Sequence, residues 1–106
     1  FYVCATALPP LALAQEIVSR GLDAELSVDE RLFAYTPYQH SESAVIQQES
    51  VRLFKALGHD DYLTYALAHR DIIARFGRFP LRNAALGRTS TPEELAYMKE
   101  REGKAY

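Results

Sequence analysis

The sequence has little cysteine, little excess charge and no long apolar run. Of its 106 residues one is a cysteine, Cys4. A single thiol excludes an internal disulfide, which favours a reducing compartment such as the cytoplasm, and its apolar neighbours predict that it is unreactive. No stretch is long enough to span a bilayer, and the residue spacings that hold zinc are missing. We therefore expect no membrane span, no metal site and no cofactor.

The formal net charge is only −2, which argues against a protein that binds nucleic acids or membranes in general. Between His69 and Arg88, however, five arginines accompany one acid, Asp71, so this segment carries +4 and the rest of the chain −6. The five are Arg70, Arg75, Arg78, Arg82 and Arg88. A confined basic patch on an acidic body suits a small anion or an acidic peptide. The alternative is that these arginines pair with nearby carboxylates.

Strand patterns are also missing. Apolar residues instead recur at steps of three and four, the spacing of one helix face, and capping residues and glycines mark helix ends. The predicted helices run from about Pro10 to Arg20, from a capping box at Ser27 to Pro37, from Ser41 or Ser43 to Leu57, and from an N-cap at Asp60 to Phe76, where Gly77 stops the helix. A last helix begins at a capping box formed by Thr91 and Glu94, and Pro80 opens a helical turn before it. The short turns between them predict a single all-α domain, residues 1–106, built of antiparallel helix hairpins.

The inner faces of the helices follow from the same spacing. The side chains expected to be buried are Leu32, Phe33 and Tyr35 in the second helix, Ile46, Ser50, Leu53, Phe54 and Leu57 in the third, and Tyr62, Tyr65, Ala66, His69, Ile72, Ile73 and Phe76 in the fourth. His69 lies in the middle of an apolar stripe. A buried imidazole needs hydrogen-bond partners, so it is either a core histidine that bridges helices or a functional group.

One functional interpretation makes the protein an enzyme. His69 would be the general base of a metal-independent hydrolase or transferase, Glu42 would orient it and raise its basicity, and Arg82 would stabilise an oxyanion. Ser41, between His40 and Glu42, invites a nucleophile role. A helix cap explains the same serine, because no G-x-S-x-G elbow is present to expose its hydroxyl.

The arginine-rich turn supports the interpretation that we favour, a helical interaction module. Arginine side chains bind carboxylate or phosphate groups through paired hydrogen bonds. An acidic peptide or a small anion would then bind through Arg78, Arg82 and Asn83. The full set of predicted ligand-binding residues is His40, Glu42, His69, Arg75, Arg78, Arg82, Asn83 and Arg88. A structural domain without a ligand is a third interpretation.

A long motif carries a family resemblance. It consists of His40-Ser41-Glu42, Gln47, Ser50-Val51, Leu53-Phe54 and His69, followed by the segment RFGRFPLRN from Arg75 to Asn83, Leu86-Gly87-Arg88, Ser90-Thr91 and Glu94. In these positions the chain resembles the bacterial domain of unknown function 924, and the similarity runs from about Leu11 to Tyr97. The resemblance implies a right-handed, tetratricopeptide-like helical array and brings no established activity.

The chain also departs from the pattern of the family that it resembles. The chain would correspond to the C-terminal two thirds of the family, without an N-terminal third that carries a second arginine-asparagine motif. A site built by both parts would then be incomplete. Leu81 stands where the family usually has a histidine, which argues against a role that depends on that imidazole. Ile46 occupies a position that is often acidic.

Overall fold

Five α-helices and two short 3-10 helices make up the part of the protein that the computed structural model describes, residues 10–102. The α-helices are α1 (Pro10–Ser19), α2 (Val28–Gln39), α3 (Ala44–Leu57), α4 (Asp60–Phe76) and α5 (Pro92–Glu100), and the 3-10 helices are Leu22–Glu25 and Pro80–Arg82. These residues contain no strand, which confirms the all-α fold class. Cys4 lies outside the described residues, so its low reactivity stays a prediction.

Successive helices pack side by side. α1 contacts α2, α2 contacts α3, α3 packs along α4, and α2 also reaches α4. Only Gly58 and His59 separate α3 from α4, so these two helices form an antiparallel hairpin. α5 lies against the 3-10 helix Pro80–Arg82. Within residues 10–102 no helix combines the length and the apolar character needed to cross a membrane.

The predicted helix starts are confirmed at both capping boxes. Ser27 accepts a hydrogen bond from the Glu30 amide, Thr91 accepts one from the Glu94 amide, and each glutamate side chain accepts the amide of its cap in return. Ser43, the later of the two candidate serines, caps α3 with its side chain. Since each cap satisfies amides that the first helical turn leaves without a partner, these ends are set by local chemistry.

Two predicted helix boundaries are wrong. Pro37 does not end the second helix, because α2 continues to Gln39. A proline inside a helix costs one backbone hydrogen bond, but the added turn buries Tyr38 in the core. The N-cap of α4 is His59, and Asp60 is the first helical residue. The acid therefore interacts with the positive end of the helix dipole without capping it.

The core consists of two clusters between the helices. The larger contains Ala14, Tyr35, Tyr38, Leu53, Phe54 and Ala66, and the smaller contains Ile72, Ile73, Phe79 and Tyr97. Two side chains that we expected to be buried are not: Phe33 is 80% exposed and Tyr65 is 50% exposed. Residues two apart point about 200° apart around a helix, so Phe33 faces away from the core that Tyr35 enters. Tyr65 lies at the rim of the face that buries Ala66 and His69.

Candidate functional site

Two glycines in the left-handed conformation bracket the segment that carries most of the candidate residues. Gly77, with φ 74°, closes α4, and Gly87, with φ 67°, closes the helical turn that follows. There the Arg88 amide donates to Asn83 O at 2.8 Å, and the Gly87 amide donates to Ala84 O at 3.3 Å. This pair of bonds reverses the chain at the end of a helical turn. The reversal directs the Arg88 side chain back towards the start of α3.

Glu42, in the loop before α3, receives that arginine. Arg88 donates through Nη1 to Oε1 at 2.9 Å and through Nη2 to Oε2 at 3.0 Å, a bidentate pair. The Phe79 amide donates to Oε2 at 2.7 Å. These donors, with the Arg88 hydrogen bond as the largest cause, hold the pKa of Glu42 below its ordinary value. Both carboxylate oxygens are therefore bound to the segment that follows α4.

Glu94, in the first turn of α5, organises the other side of the segment. Arg78 donates to it through Nε at 2.9 Å and through Nη2 at 2.7 Å, and Asn83 Nδ2 donates to it at 3.3 Å and to Ser90 Oγ at 3.0 Å. The hydrogen bond from Arg78 is the largest cause that lowers the pKa of Glu94 to about 2. Arg88 Nε donates to Asn83 Oδ1 at 3.0 Å, so Asn83 connects the two carboxylates into one network.

Most of the basic patch is thus neutralised inside the protein. Four of its five arginines form ion pairs: Arg70 with Asp71, Arg75 with Glu93, Arg78 with Glu94, and Arg88 with Glu42. Asn83 is 1% exposed, and its side-chain amide is used within the network. The alternative interpretation of the arginines, pairing with nearby carboxylates, therefore describes four of the five.

Arg82 is different. It forms no ion pair with any carboxylate of residues 10–102. Its Nη2 donates to the backbone oxygen of His40 at 2.9 Å, and its guanidinium carbon lies 4.5 Å from the centroid of the Phe79 ring. The ring orients the guanidinium plane by a cation–π contact. The result is an oriented, partly exposed arginine that forms no ion pair in the described part of the chain, and its charge helps to lower the pKa of Glu42.

Two imidazoles lie beside Arg82. The ring centroids of His40 and His69 are 5.7 Å apart, and His69 meets the edge of Phe79 at the same centroid distance. His69 is 5% exposed, and its Nδ1 lies 2.7 Å from Tyr65 O. A carbonyl oxygen only accepts hydrogen bonds, so Nδ1 carries a proton and Nε2 is the nitrogen that titrates.

Both imidazoles are held towards the neutral form. Desolvation is the largest cause that lowers the pKa of His40, and the positive charges of His69 and Arg82 add to it. Desolvation also lowers the pKa of His69, and the charges of Arg82 and Arg101 act in the same direction, while the hydrogen bond to Tyr65 opposes them. The prediction that a carboxylate raises the basicity of His69 is wrong, because Glu42 is engaged by Arg88 and Phe79.

The structure accordingly separates the predicted site residues into two groups. His40, His69 and Arg82 come together around Phe79. The other predicted residues, Glu42, Arg75, Arg78, Asn83 and Arg88, are held in ion pairs and hydrogen bonds within the protein. Ser41, the weighed nucleophile, accepts a hydrogen bond from the Ser43 amide in the loop before α3. Residues 10–102 contain no cluster of three histidine, cysteine or acidic side chains that would hold a metal.

Two important residues were not recognised in the sequence. Glu94 was predicted only as a capping-box residue, yet it also accepts hydrogen bonds from Arg78 and Asn83. Phe79 was recognised only within the family motif, yet its ring supports Arg82 and contacts His69, and its amide binds Glu42. No local pattern indicates these roles, since each partner lies on a different part of the chain or across a turn.

Comparisons with known proteins match the chain to a family of unknown function. The family described as "Bacterial protein of unknown function (DUF924)" matches residues 6–102, and no curated protein matches the chain. The solved structure of a protein of unknown function from Agrobacterium tumefaciens is 47% identical and has a TM-score of 0.80, over 89% of this chain. The chain spans 54% of that protein, which is less than the two thirds that the resemblance implied.

Proposed function

The chain belongs to the DUF924 family of bacterial proteins, and because membership brings a fold without an activity, we propose a function from the geometry of residues 10–102. The protein is a cytoplasmic helical interaction module that binds the carboxylate or phosphate group of an acidic peptide or a small anion. Arg82 is the residue that receives the anionic group. His40 and His69 form the wall beside it, and Phe79 supports it.

A single observation carries this proposal: Arg82 is the arginine of the basic patch that has no carboxylate partner among residues 10–102. Its four neighbours in the sequence pattern are paired, so a carboxylate already offsets the charge of each of them. At Arg82 no such pair opposes binding. The hydrogen bond to His40 O and the contact with Phe79 fix the guanidinium beforehand, which reduces the entropy lost on binding.

The two imidazoles add to the attraction as they become protonated. The pKa of His40 is lowered partly by the charges of His69 and Arg82, and that of His69 partly by the charge of Arg82. A bound anion would offset this repulsion and favour the charged imidazoles. Anion binding therefore takes up protons, and affinity should increase as the pH falls towards the pKa values of the histidines.

The test is the substitution Arg82→Ala, with titration calorimetry of inorganic phosphate and of succinate. We expect binding to the wild type and a loss of binding in the variant. The variant loses one hydrogen bond and one cation–π contact, so its unfolding free energy should fall by about 1–2 kcal/mol.

Arg70→Ala is the matched control, because it removes the same charge from an exposed arginine that pairs with its neighbour Asp71. It should leave binding unchanged. Equal losses in the two variants would show that the anions respond to net charge alone, and unchanged binding in Arg82→Ala would refute the assignment of Arg82. A large loss of stability in Arg82→Ala with unaltered binding would make the residue structural.

A further inference from the structure

The surface next to Arg82 is apolar. Leu81 is 46% exposed and Leu86 is 58% exposed, and Ala84 and Ala85 between them are exposed as well. Single exposed leucines are common on proteins. Here two of them lie close together in the sequence, on either side of an arginine that has no carboxylate partner among residues 10–102.

The backbone places Arg82 and Leu86 on one face. The Leu86 amide donates to Arg82 O at 3.0 Å, the bond of an α-helical turn, and residues four apart in such a turn are neighbours on its surface. Leu81 precedes Arg82 in the 3-10 helix Pro80–Arg82, and Ala84 and Ala85 lie between Arg82 and Leu86. Leu81, Ala84, Ala85 and Leu86 are all exposed, and we call them the apolar strip beside Arg82.

The charge balance of the chain limits what binds there. A strongly acidic ligand would be repelled by the net charge of −2 and would find most of the arginines already paired. A ligand with one or two carboxylates beside Arg82 and apolar side chains over the strip avoids that repulsion. It also removes apolar surface from water, which contributes affinity that the single arginine does not supply.

We propose that this strip and Arg82 together form a docking surface for a peptide segment in which an acidic residue is flanked by aliphatic side chains. The inference rests on the proposed function, since Arg82 must receive the acidic group. It adds the class of partner: a protein segment that carries an acidic residue between aliphatic ones. A carboxylate or phosphate on a small molecule would use the arginine without the strip.

Two synthetic peptides test the inference by fluorescence anisotropy. One has a single glutamate flanked by leucines, and the other has serine in place of each leucine. The wild type should bind the leucine peptide about tenfold more tightly than the serine peptide, the effect expected from covering part of two leucine side chains. In Leu86→Asn this advantage should fall to about twofold or less, while the affinity for inorganic phosphate stays unchanged.

Leu22→Asn is the control, because Leu22 has the same 46% exposure as Leu81 and lies in the other 3-10 helix. It should keep the full preference for the leucine peptide. A wild type that binds phosphate but does not distinguish the peptides would overturn the inference and leave the proposed function standing. A preference that survives in Leu86→Asn would also overturn it. If neither phosphate nor either peptide binds, the proposed function and the inference both fail.

Discussion

The substitution Glu42→Gln tests whether the ion-pair network holds the segment after α4 in place. Glu42 accepts two hydrogen bonds from Arg88, at 2.9 and 3.0 Å, and one from the Phe79 amide at 2.7 Å. Glutamine has the same shape and keeps an oxygen for the Phe79 amide. It removes the negative charge and presents an NH2 group to the guanidinium, so the substitution acts on the ion pair with Arg88.

The magnitude follows from the burial of the pair. The side chains of Arg88 and Glu42 are 24% and 26% exposed, so solvent screens them less than a surface pair. A hydrogen bond to a charged group contributes about 1.5–3 kcal/mol, and part of the loss is recovered because the neutral side chain is easier to bury. We expect the unfolding free energy to fall by about 2–3 kcal/mol, which lowers the melting temperature of a domain of this size by roughly 10–20 °C.

The assay is urea unfolding followed by far-ultraviolet circular dichroism. Glu49→Gln is the matched control, because Glu49 pairs with Arg52 on the surface of α3, where the side chains are 45% and 61% exposed. That variant should lose less than about 0.5 kcal/mol. A double-mutant cycle with Arg88→Met isolates the interaction, and the coupling between positions 42 and 88 should exceed about 1 kcal/mol.

Two results would refute this reasoning. If Glu42→Gln destabilises the protein no more than Glu49→Gln does, the pair with Arg88 contributes nothing beyond a surface ion pair. If the losses of Glu42→Gln and Arg88→Met add fully in the double variant, the two side chains act independently, and the hydrogen bonds between them are energetically unimportant.

Two further predictions concern the backbone and the histidines. Gly87→Ala should lower the unfolding free energy by about 1–2 kcal/mol in the same urea assay. The φ angle of Gly87 is 67° and a new Cβ would meet no atom within 4 Å, so the loss comes from backbone strain and not from a clash. An unchanged urea midpoint would contradict this prediction. His40 and His69 have pKa values below the ordinary 6.5 in the folded protein. Below pH 6.5 the unfolded chain therefore binds more protons than the folded protein does. The stability that is present above pH 6.5 should be lost as the pH falls below 6.5. The urea midpoint should therefore decline on acidification and decline less in His69→Gln, whereas a midpoint that rises would reverse the sign of the shift.

Local chemistry explains the predictions that succeeded. The capping boxes at Ser27 and Thr91 and the stop at Gly77 were recognised because cap and capped amide lie within three or four residues of each other. Pro37 shows the limit of such rules. A local preference against proline in a helix was outweighed by the burial of Tyr38, and burial depends on helices that are distant in the sequence.

In the candidate site, too, local patterns in the sequence revealed some features and the packing of distant segments decided the others. The sequence identified the arginine-rich turn and the imidazole at His69, and both belong to the corner around Phe79. It did not show which arginine remains without a carboxylate partner. That property depends on Glu42 and Glu94, which reach Arg88 and Arg78 from 46 and 16 residues away.

The amino-acid sequence by itself determined that this protein is all-α and where most of its helices begin and end, because caps, glycine stops and helical periodicity act between neighbouring residues. Only the tertiary structure decided which charges neutralise one another. An ion pair forms between groups that packing brings within a few ångströms, regardless of their separation along the chain. Packing used Arg78 and Arg88 to hold the segment after α4, and it left Arg82 beside two imidazoles as the residue that binds an anion in our proposal.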